Sequence, residues 1–228
     1  MEKFMLNELM GPLNNVEERF APDFVYVEGN YELMHEPKVS IVGSRKASLE
    51  GINNTIILVK TLVKKNVAIV SGLAEGIDTT AHKTTIREGG KTIAVLGTPL
   101  DSYYPAGNRT LQEEIMKHHL AISQFPPKSL TQRKNFPIRN RTMALISNAT
   151  IIIEAGETSG SLHQGWEALR LGRPLFILES IVNNKTLTWP KEMIKYGAMV
   201  LSLNNLNPLF DVLPNSGIFG DLRCCFLI

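Results

Sequence analysis

Cysteine is nearly absent from this chain: two residues in 228, side by side at Cys224 and Cys225. Adjacent thiols supply neither a disulfide framework nor the spaced ligands of a zinc site, so a reducing cytoplasm is the expected compartment. Charge of one sign is also scarce. The 24 Lys and Arg nearly cancel the 22 Asp and Glu, leaving a formal net charge of +2. Overall charge therefore does not mark a nucleic-acid binder, and any anion site must come from local clustering. No apolar run approaches the roughly 18 residues of a membrane span. The opening M-E-K-F-M-L-N-E lacks the basic and apolar segments of a signal peptide. No membrane partner is expected. The phosphate-loop pattern G-x-x-x-x-G-K-[ST] is missing. Neither Ser71 nor Ser161 lies in a nucleophile elbow, and no third metal ligand joins Asp78 and His82 at a suitable spacing. No catalytic residue, metal or cofactor is called for.

What remains is ordinary in bulk, 43% hydrophobic and 20% charged, and distinctive in order. Short β-branched runs alternate with helix-period segments from Val39 onward. The runs Val39–Val42, Val67–Val70, Thr92–Leu96, Ala121–Phe125, Thr150–Glu154 and Pro174–Leu178 read as strands. Helices are expected at Ser48–Lys65, Ile77–Arg87, Leu111–His118, Ile138–Ser147 and Ser161–Leu171, and a last unit at Glu192–Tyr196 and Ala198–Leu201. In the first helix Ile52, Ile56, Val59 and Val63 form the apolar stripe. The strands are continuous apolar runs, as sheets covered on both faces require. The fold class is α/β, a doubly wound, mostly parallel sheet. Residues 1–36 read as a lead-in packed on the core, with a short strand at Phe24–Gly29. Residues 37–203 read as the main domain, and 204–228 as a tail ending in C-C-F-L-I. That ending formally fits a prenylation pattern, though Ile is not among the usual final residues, and an apolar tail packing on the domain or a partner suits it better.

Four turns fall at carboxyl ends of strands: Gly43–Arg45, Ser71–Gly76, Gly97–Asp101 and Ala155–Ser161. In a doubly wound sheet these ends share one edge. Gly and Ser turns opening helices present backbone N–H groups and hydroxyls suited to phosphate. Arg45 and Lys46 add charge. The segment Arg133–Arg141, R-K-N-F-P-I-R-N-R, places Arg133, Lys134, Arg139 and Arg141 around Phe136. Cations neutralise phosphates while an aromatic face stacks on a base. Asp78 and His82, at i and i+4, admit an acid–base pair, two metal ligands, or groups that brace the neighbouring turns, and bracing fits best.

Together these residues resemble the DprA/Smf family of bacterial DNA-processing proteins. The matches run in order: V-S-I-V-G-S-R at Val39–Arg45, I-V-S-G-L-A-E-G-I-D-T-T-A-H at Ile69–His82, T-I-A-V-L-G-T-P-L-D-S-Y-Y-P-A-G-N at Thr92–Asn108, F-P-I-R-N-R at Phe136–Arg141, and E-A-G-E-T-S-G-S at Glu154–Ser161. The resemblance covers roughly residues 23–203. It implies an extended Rossmann-like fold that binds single-stranded DNA without sequence preference, forms a homodimer, and loads a RecA-type recombinase in natural transformation. By position it implies a DNA site of Gly43, Ser44, Arg45, Lys46, Gly72, Leu73, Ala74, Asn108, Arg133, Lys134, Phe136, Arg139, Asn140, Arg141, Ser159, Gly160 and Ser161, with Asp78 and His82 structural. Arg139 and Arg141 either line the pocket or anchor the loop.

Two departures stand out. Leu162-His163-Gln164-Gly165-Trp166 replaces the usual helix start after Ser161, altering one pocket wall. The winged-helix-like domain that follows in many members, and the helical domain that precedes it, are not recognisable, so a family core is expected and RecA loading is less firmly implied than DNA binding. Two other classes stay open. A nucleotide sensor or phosphoribohydrolase-like enzyme would use a P-G-G-x-G-T-x-x-E turn, and here G-E-T-S-G-S-L-H-Q lacks the Glu. A defence or signalling module would recruit a partner through the apolar tail.

Overall fold

The computed structural model describes residues 1–214; the Cys-Cys-Phe-Leu-Ile ending, and with it most of the expected tail, lies outside the described residues. The first third runs β1 (Glu2–Phe4), α1 (Leu6–Met10), α2 (Asn15–Phe20), β2 (Val25–Gly29), β3 (Lys38–Gly43), α3 (Leu49–Lys64), β4 (Ala68–Ser71) and α4 (Ile77–Arg87). Then follow β5 (Thr92–Leu96), α5 (Arg109–His118), β6 (Leu120–Ser123), α6 (Asn135–Ile146), β7 (Ala149–Glu154) and α7 (Ser161–Arg170). The last described elements are β8 (Leu175–Leu178), α8 (Glu179–Val182), α9 (Trp189–Lys195), β9 (Met199–Leu201) and α10 (Asn207–Phe210).

These strands form one nine-stranded sheet in the order β1-β2-β6-β5-β4-β3-β7-β8-β9. From β6 across to β9 every pairing is parallel; β1 and β2 add on antiparallel at one edge. Residues 1–36 thus contribute two strands to the sheet as well as packing on it. Alternation along the central strands sends side chains to opposite faces. Val39, Ile41, Ile151 and Ile153 meet Leu58, Val59 and Leu62 of α3 and Ile77 and Ala81 of α4. Val42 and Ile152 instead join Met143–Ile146 of α6, Leu162 of α7 and Met193 of α9.

Two local departures from the sequence reading have clear causes. The buried stripe of α3 is Gly51, Thr55, Leu58, Val59 and Leu62, while Ile52, Ile56 and Val63 are only half-buried. The inward-facing position 51 is held by glycine, since a Cβ there would stand on the Glu154 carboxylate. Ser48 caps this helix, its Oγ accepting from Gly51 N at 3.0 Å and donating to Glu154 Oε2 at 2.6 Å. Helix α6 begins at Asn135, three residues before the expected Ile138, and carries Pro137 in its first turn. First-turn N–H groups have no intrahelical partner, so a proline there costs no hydrogen bond.

Strand order decides where a ligand fits. The chain steps outward from β3 through β4 and β5 to β6, then returns to the other side of β3 as β7. The turns after β3 and β7 diverge at this switch point and leave a crevice above the carboxyl ends of the strands.

Candidate functional site

A cavity of about 570 Å³ occupies that crevice. One wall is the turn after β3, Gly43–Lys46; the opposite wall is the turn after β7, Gly156 and Thr158–Ser161; Ala74, Asp78 and the first turns of α6 close the back. Each piece is positioned by residues behind it. Gly43 lacks a side chain because a Cβ would stand 2.5 Å from Ile77 Cγ1. Ser44 O accepts from Ile77 N at 3.2 Å, which starts α4, and its Oγ accepts from Lys46 N at 3.2 Å. Arg45 and Lys46 are left exposed on the rim. On the far wall the Ser159 and Ser161 hydroxyls lie 2.7 Å apart, beside the N-terminal end of α7.

The turn after β4 is braced from within. Asp78 Oδ2 accepts from Gly72 N at 3.1 Å and Ala74 N at 3.4 Å. Asn108 Nδ2 donates to Leu73 O at 2.9 Å and Thr79 Oγ1 at 2.8 Å, holding Leu73 at φ +58°. Arg139 Nη1 donates to Gly72 O and Val95 O, and its Nε to Asn140 Oδ1 at 3.0 Å. Asn140 in turn donates to Gly160 O at 3.2 Å, tying this turn to the far wall. Burial lowers the Arg139 guanidinium to about 10, with Asp78 opposing the shift and Arg45 adding to it, so it remains a cation at neutral pH. Burial pushes the Asp78 carboxyl up, while Arg139 and the two backbone donors pull it down. His82 is buried, its Nδ1 donating to Thr92 Oγ1 at 2.7 Å, since that hydroxyl itself donates to Ile69 O. Burial first, then His119 and Arg139, lower it to about 3.

Phe136 stands at the mouth. One face packs on Gly97, where a Cβ would come within 2.6 Å of the ring. Tyr104 leans against it with centroids 5.2 Å apart, and the Arg45 guanidinium sits 5.8 Å over its ring.

The expected site residues therefore divide. Gly43, Ser44, Arg45, Lys46, Ala74, Phe136, Arg139, Asn140, Ser159, Gly160 and Ser161 line the cavity together. Leu73 and Asn108 lie behind the lining: both are buried, and Asn108 spends its amide on the turn. Gly72 is likewise committed, its N–H to Asp78 and its carbonyl to Arg139. Of the two roles open to Arg141, the structure fits the anchor: it pairs with Glu167, Nε to Oε2 at 2.9 Å, over the Phe20 ring and away from the cavity lining. Arg133 and Lys134 are exposed just before α6 and lie outside the lining. Of the third rim turn, Gly97–Asp101, Gly97 serves as the seat of Phe136; Asp101 instead accepts from Lys128 N at 3.0 Å. Sequence reasoning missed Glu75 and Tyr104, which flank Phe136. The departure at His163 and Gln164 does fall in the cavity wall. Glu167, pairing with Arg141 and Arg170, is turned away from it.

Comparison with known proteins points the same way. Residues 12–211 match the family described as DNA recombination-mediator protein A. The chain is 37% identical over 182 residues to the DNA processing protein DprA of Streptococcus pneumoniae, covering 80% of this chain and 64% of that protein. The chain thus spans less than two thirds of that relative's length. The X-ray structure of DprA from Streptococcus pneumoniae superposes with a TM-score of 0.77 at 34% identity, covering 90% of this chain and 72% of that one. DNA processing protein A from Helicobacter pylori, whose structure is described as showing a unique single-stranded DNA binding mode, gives 0.75 at 26% identity, covering 92% and 95%.

Proposed function

The chain belongs to the DNA recombination-mediator protein A, or DprA/Smf, family, and from that premise we propose that it binds single-stranded DNA in the crevice between the turns after β3 and β7. One observation carries the reading: Phe136, seated on Gly97 and half-exposed, lines the mouth of a cavity rimmed by Arg45, Lys46 and the Ser159–Ser161 turn. Cations and backbone N–H groups take phosphates; the ring takes a base, and every base has a face to offer. Arg133 and Lys134, exposed just before α6, extend the cationic path for a longer strand. The single-stranded DNA binding of the Helicobacter pylori relative supports the same assignment.

The chain acts as a binding protein. Asp78 and His82 are spent on bracing, and the Glu that a phosphoribohydrolase turn requires is replaced by Gln164. Incubation with nucleoside monophosphates is expected to release no free base. Within the family's mediator role, the bound strand is passed to a RecA-type recombinase by a homodimer in the cytoplasm; light scattering and a strand-exchange assay test those two steps.

Binding to labelled oligo-dT across a salt series tests the central assignment. With about three to five phosphates engaged, the log–log slope should be near −0.7 per phosphate. Arg45→Ala should make that slope shallower by about one phosphate. No binding at low salt, or affinity untouched by Arg45→Ala and Phe136→Ala together, overturns the reading.

A further inference from the structure

Beside the main cavity lies a narrow slot of about 50 Å³, lined among others by Arg45, Glu75, Gly97, Tyr104 and Phe136. It is too small for a whole base, little more than one water's share of about 30 Å³. Its mouth is wider in chemical terms. Tyr104 is 49% exposed and tilts against Phe136 at 51°, so the two rings present an aromatic shelf to solvent. At the edge of that shelf stands Glu75, exposed at the tip of the turn whose Gly72, Leu73 and Ala74 carbonyls are bonded inward. Among the described residues Glu75 enters no ion pair, although Arg45 lines the same slot.

A carboxylate in a phosphate-binding rim opposes the binding of a sugar-phosphate backbone. It serves only if it meets another part of the strand. We infer that Glu75 reads the edge of the base stacked on the Tyr104–Phe136 shelf, favouring guanine there and disfavouring thymine. The inference rests on the strand-binding reading above and departs from sequence indifference at this one nucleotide. An ionised carboxylate only accepts hydrogen bonds. Guanine offers adjacent N1–H and N2–H donors that match its two oxygens; cytosine and adenine offer one amino group each. Thymine sets its N3–H between two carbonyls whose lone pairs face the carboxylate. Single-stranded nucleic acids are read on these Watson–Crick edges because unstacked bases are free to turn them outward.

Equilibrium binding in a lithium buffer, which discourages guanine quadruplexes, tests this with equal-length oligonucleotides: oligo-dT, alternating dT/dC and alternating dT/dG. The full chain should bind dT/dG about 5-fold or more tightly than oligo-dT, the lower end for a well-made bidentate base contact, with dT/dC between them. Glu75→Ala should erase the order. Glu75→Gln, whose amide both donates and accepts, should narrow it by improving oligo-dT. Equal affinities for all three strands overturn the inference alone, as does a Glu75→Ala that tightens all three equally, the mark of simple repulsion from phosphates. Failure to bind any strand overturns the strand-binding reading and the inference with it.

Discussion

Two glycine-bounded turns border the cavity, one after β4 at its back and one after β7 at its far wall, and are built in opposite ways. In the turn after β4, Gly72 lies against the Arg139 guanidinium, Gly76 holds φ +75° over the Ser44 and Arg45 carbonyls, and Asp78, Asn108 and Arg139 bond the backbone from behind. In the turn after β7, a Cβ added at Gly156 or Gly160 would meet nothing within 4 Å. The first turn is a fixed wall whose glycines are dictated by close packing. The second is looser: Gly156, Glu157, Thr158 and Gly160 are exposed, its polar groups bond mainly to one another, and its glycines are not dictated by space. Similar-looking S-G and G-x-x-S-G strings thus differ in build: one is locked by packing, the other has open space around its glycines.

The largest effects should come from the fixed wall. Arg139→Met strips the buried Gly72 and Val95 carbonyls of their donor and should cost about 2–6 kcal/mol in urea unfolding, about 1–3 for each unmet acceptor. Gly72→Ala should also destabilise strongly, because its Cβ overlaps the guanidinium. In an Arg139→Met background Gly72→Ala should cost much less, a non-additivity expected only if that contact is the cause. Next comes the mouth. Phe136→Ala should weaken oligo-dT binding by about 5- to 150-fold, the equivalent of about 1–3 kcal/mol of stacking, with little change in unfolding. Gly97→Val, which evicts the ring from its seat, should give the same binding loss with Phe136 still present.

A third effect depends on pH. His82 is lowered to about 3 in the fold from an ordinary 6.5, so the unfolded chain holds the extra proton between those values. Stability from this group is complete above about pH 6.5 and falls as pH drops toward 3, by up to about 1.4 kcal/mol per pH unit. The raised Asp78 works in the opposite direction at acid pH, so the difference between His82→Gln and the natural chain is the quantity to follow; it should shrink steadily from pH 7 to pH 4. The smallest effect belongs to the open turn: Gly156→Ala and Gly160→Ala should leave stability unchanged or raise it by up to about 1 kcal/mol, through the unfolded chain. Strong destabilisation by either would erase the contrast between the turns.

Much of this was legible in the residues. Helix α4 spans Ile77–Arg87 and strand β5 Thr92–Leu96, as the apolar periods and the Gly89-Gly90 stop indicate. The carboxyl-edge turns converge as strand–turn–helix order requires. What stayed hidden depends on contacts between distant segments. A run with four cations reads as one surface patch, yet Arg139 is drawn inside by carbonyls of Gly72 and Val95, and Arg141 by Glu167. The antiparallel edge of β1 and β2 hides because a three-residue strand such as Glu2–Phe4 carries almost no period of its own. Pro137 reads as a break because proline ends helices, and only the position of the first turn shows that it begins one.

Contact between Phe136 and a base is the central expectation. Photo-cross-linking with an oligonucleotide carrying 5-iododeoxyuridine, followed by mass spectrometry of the peptides, reads that contact directly. The expected adduct is on Phe136 or its neighbour Tyr104, lost with Phe136→Ala at unchanged fold. Adducts confined to peptides outside the crevice, with none on residues 133–141 or 97–105, would contradict it.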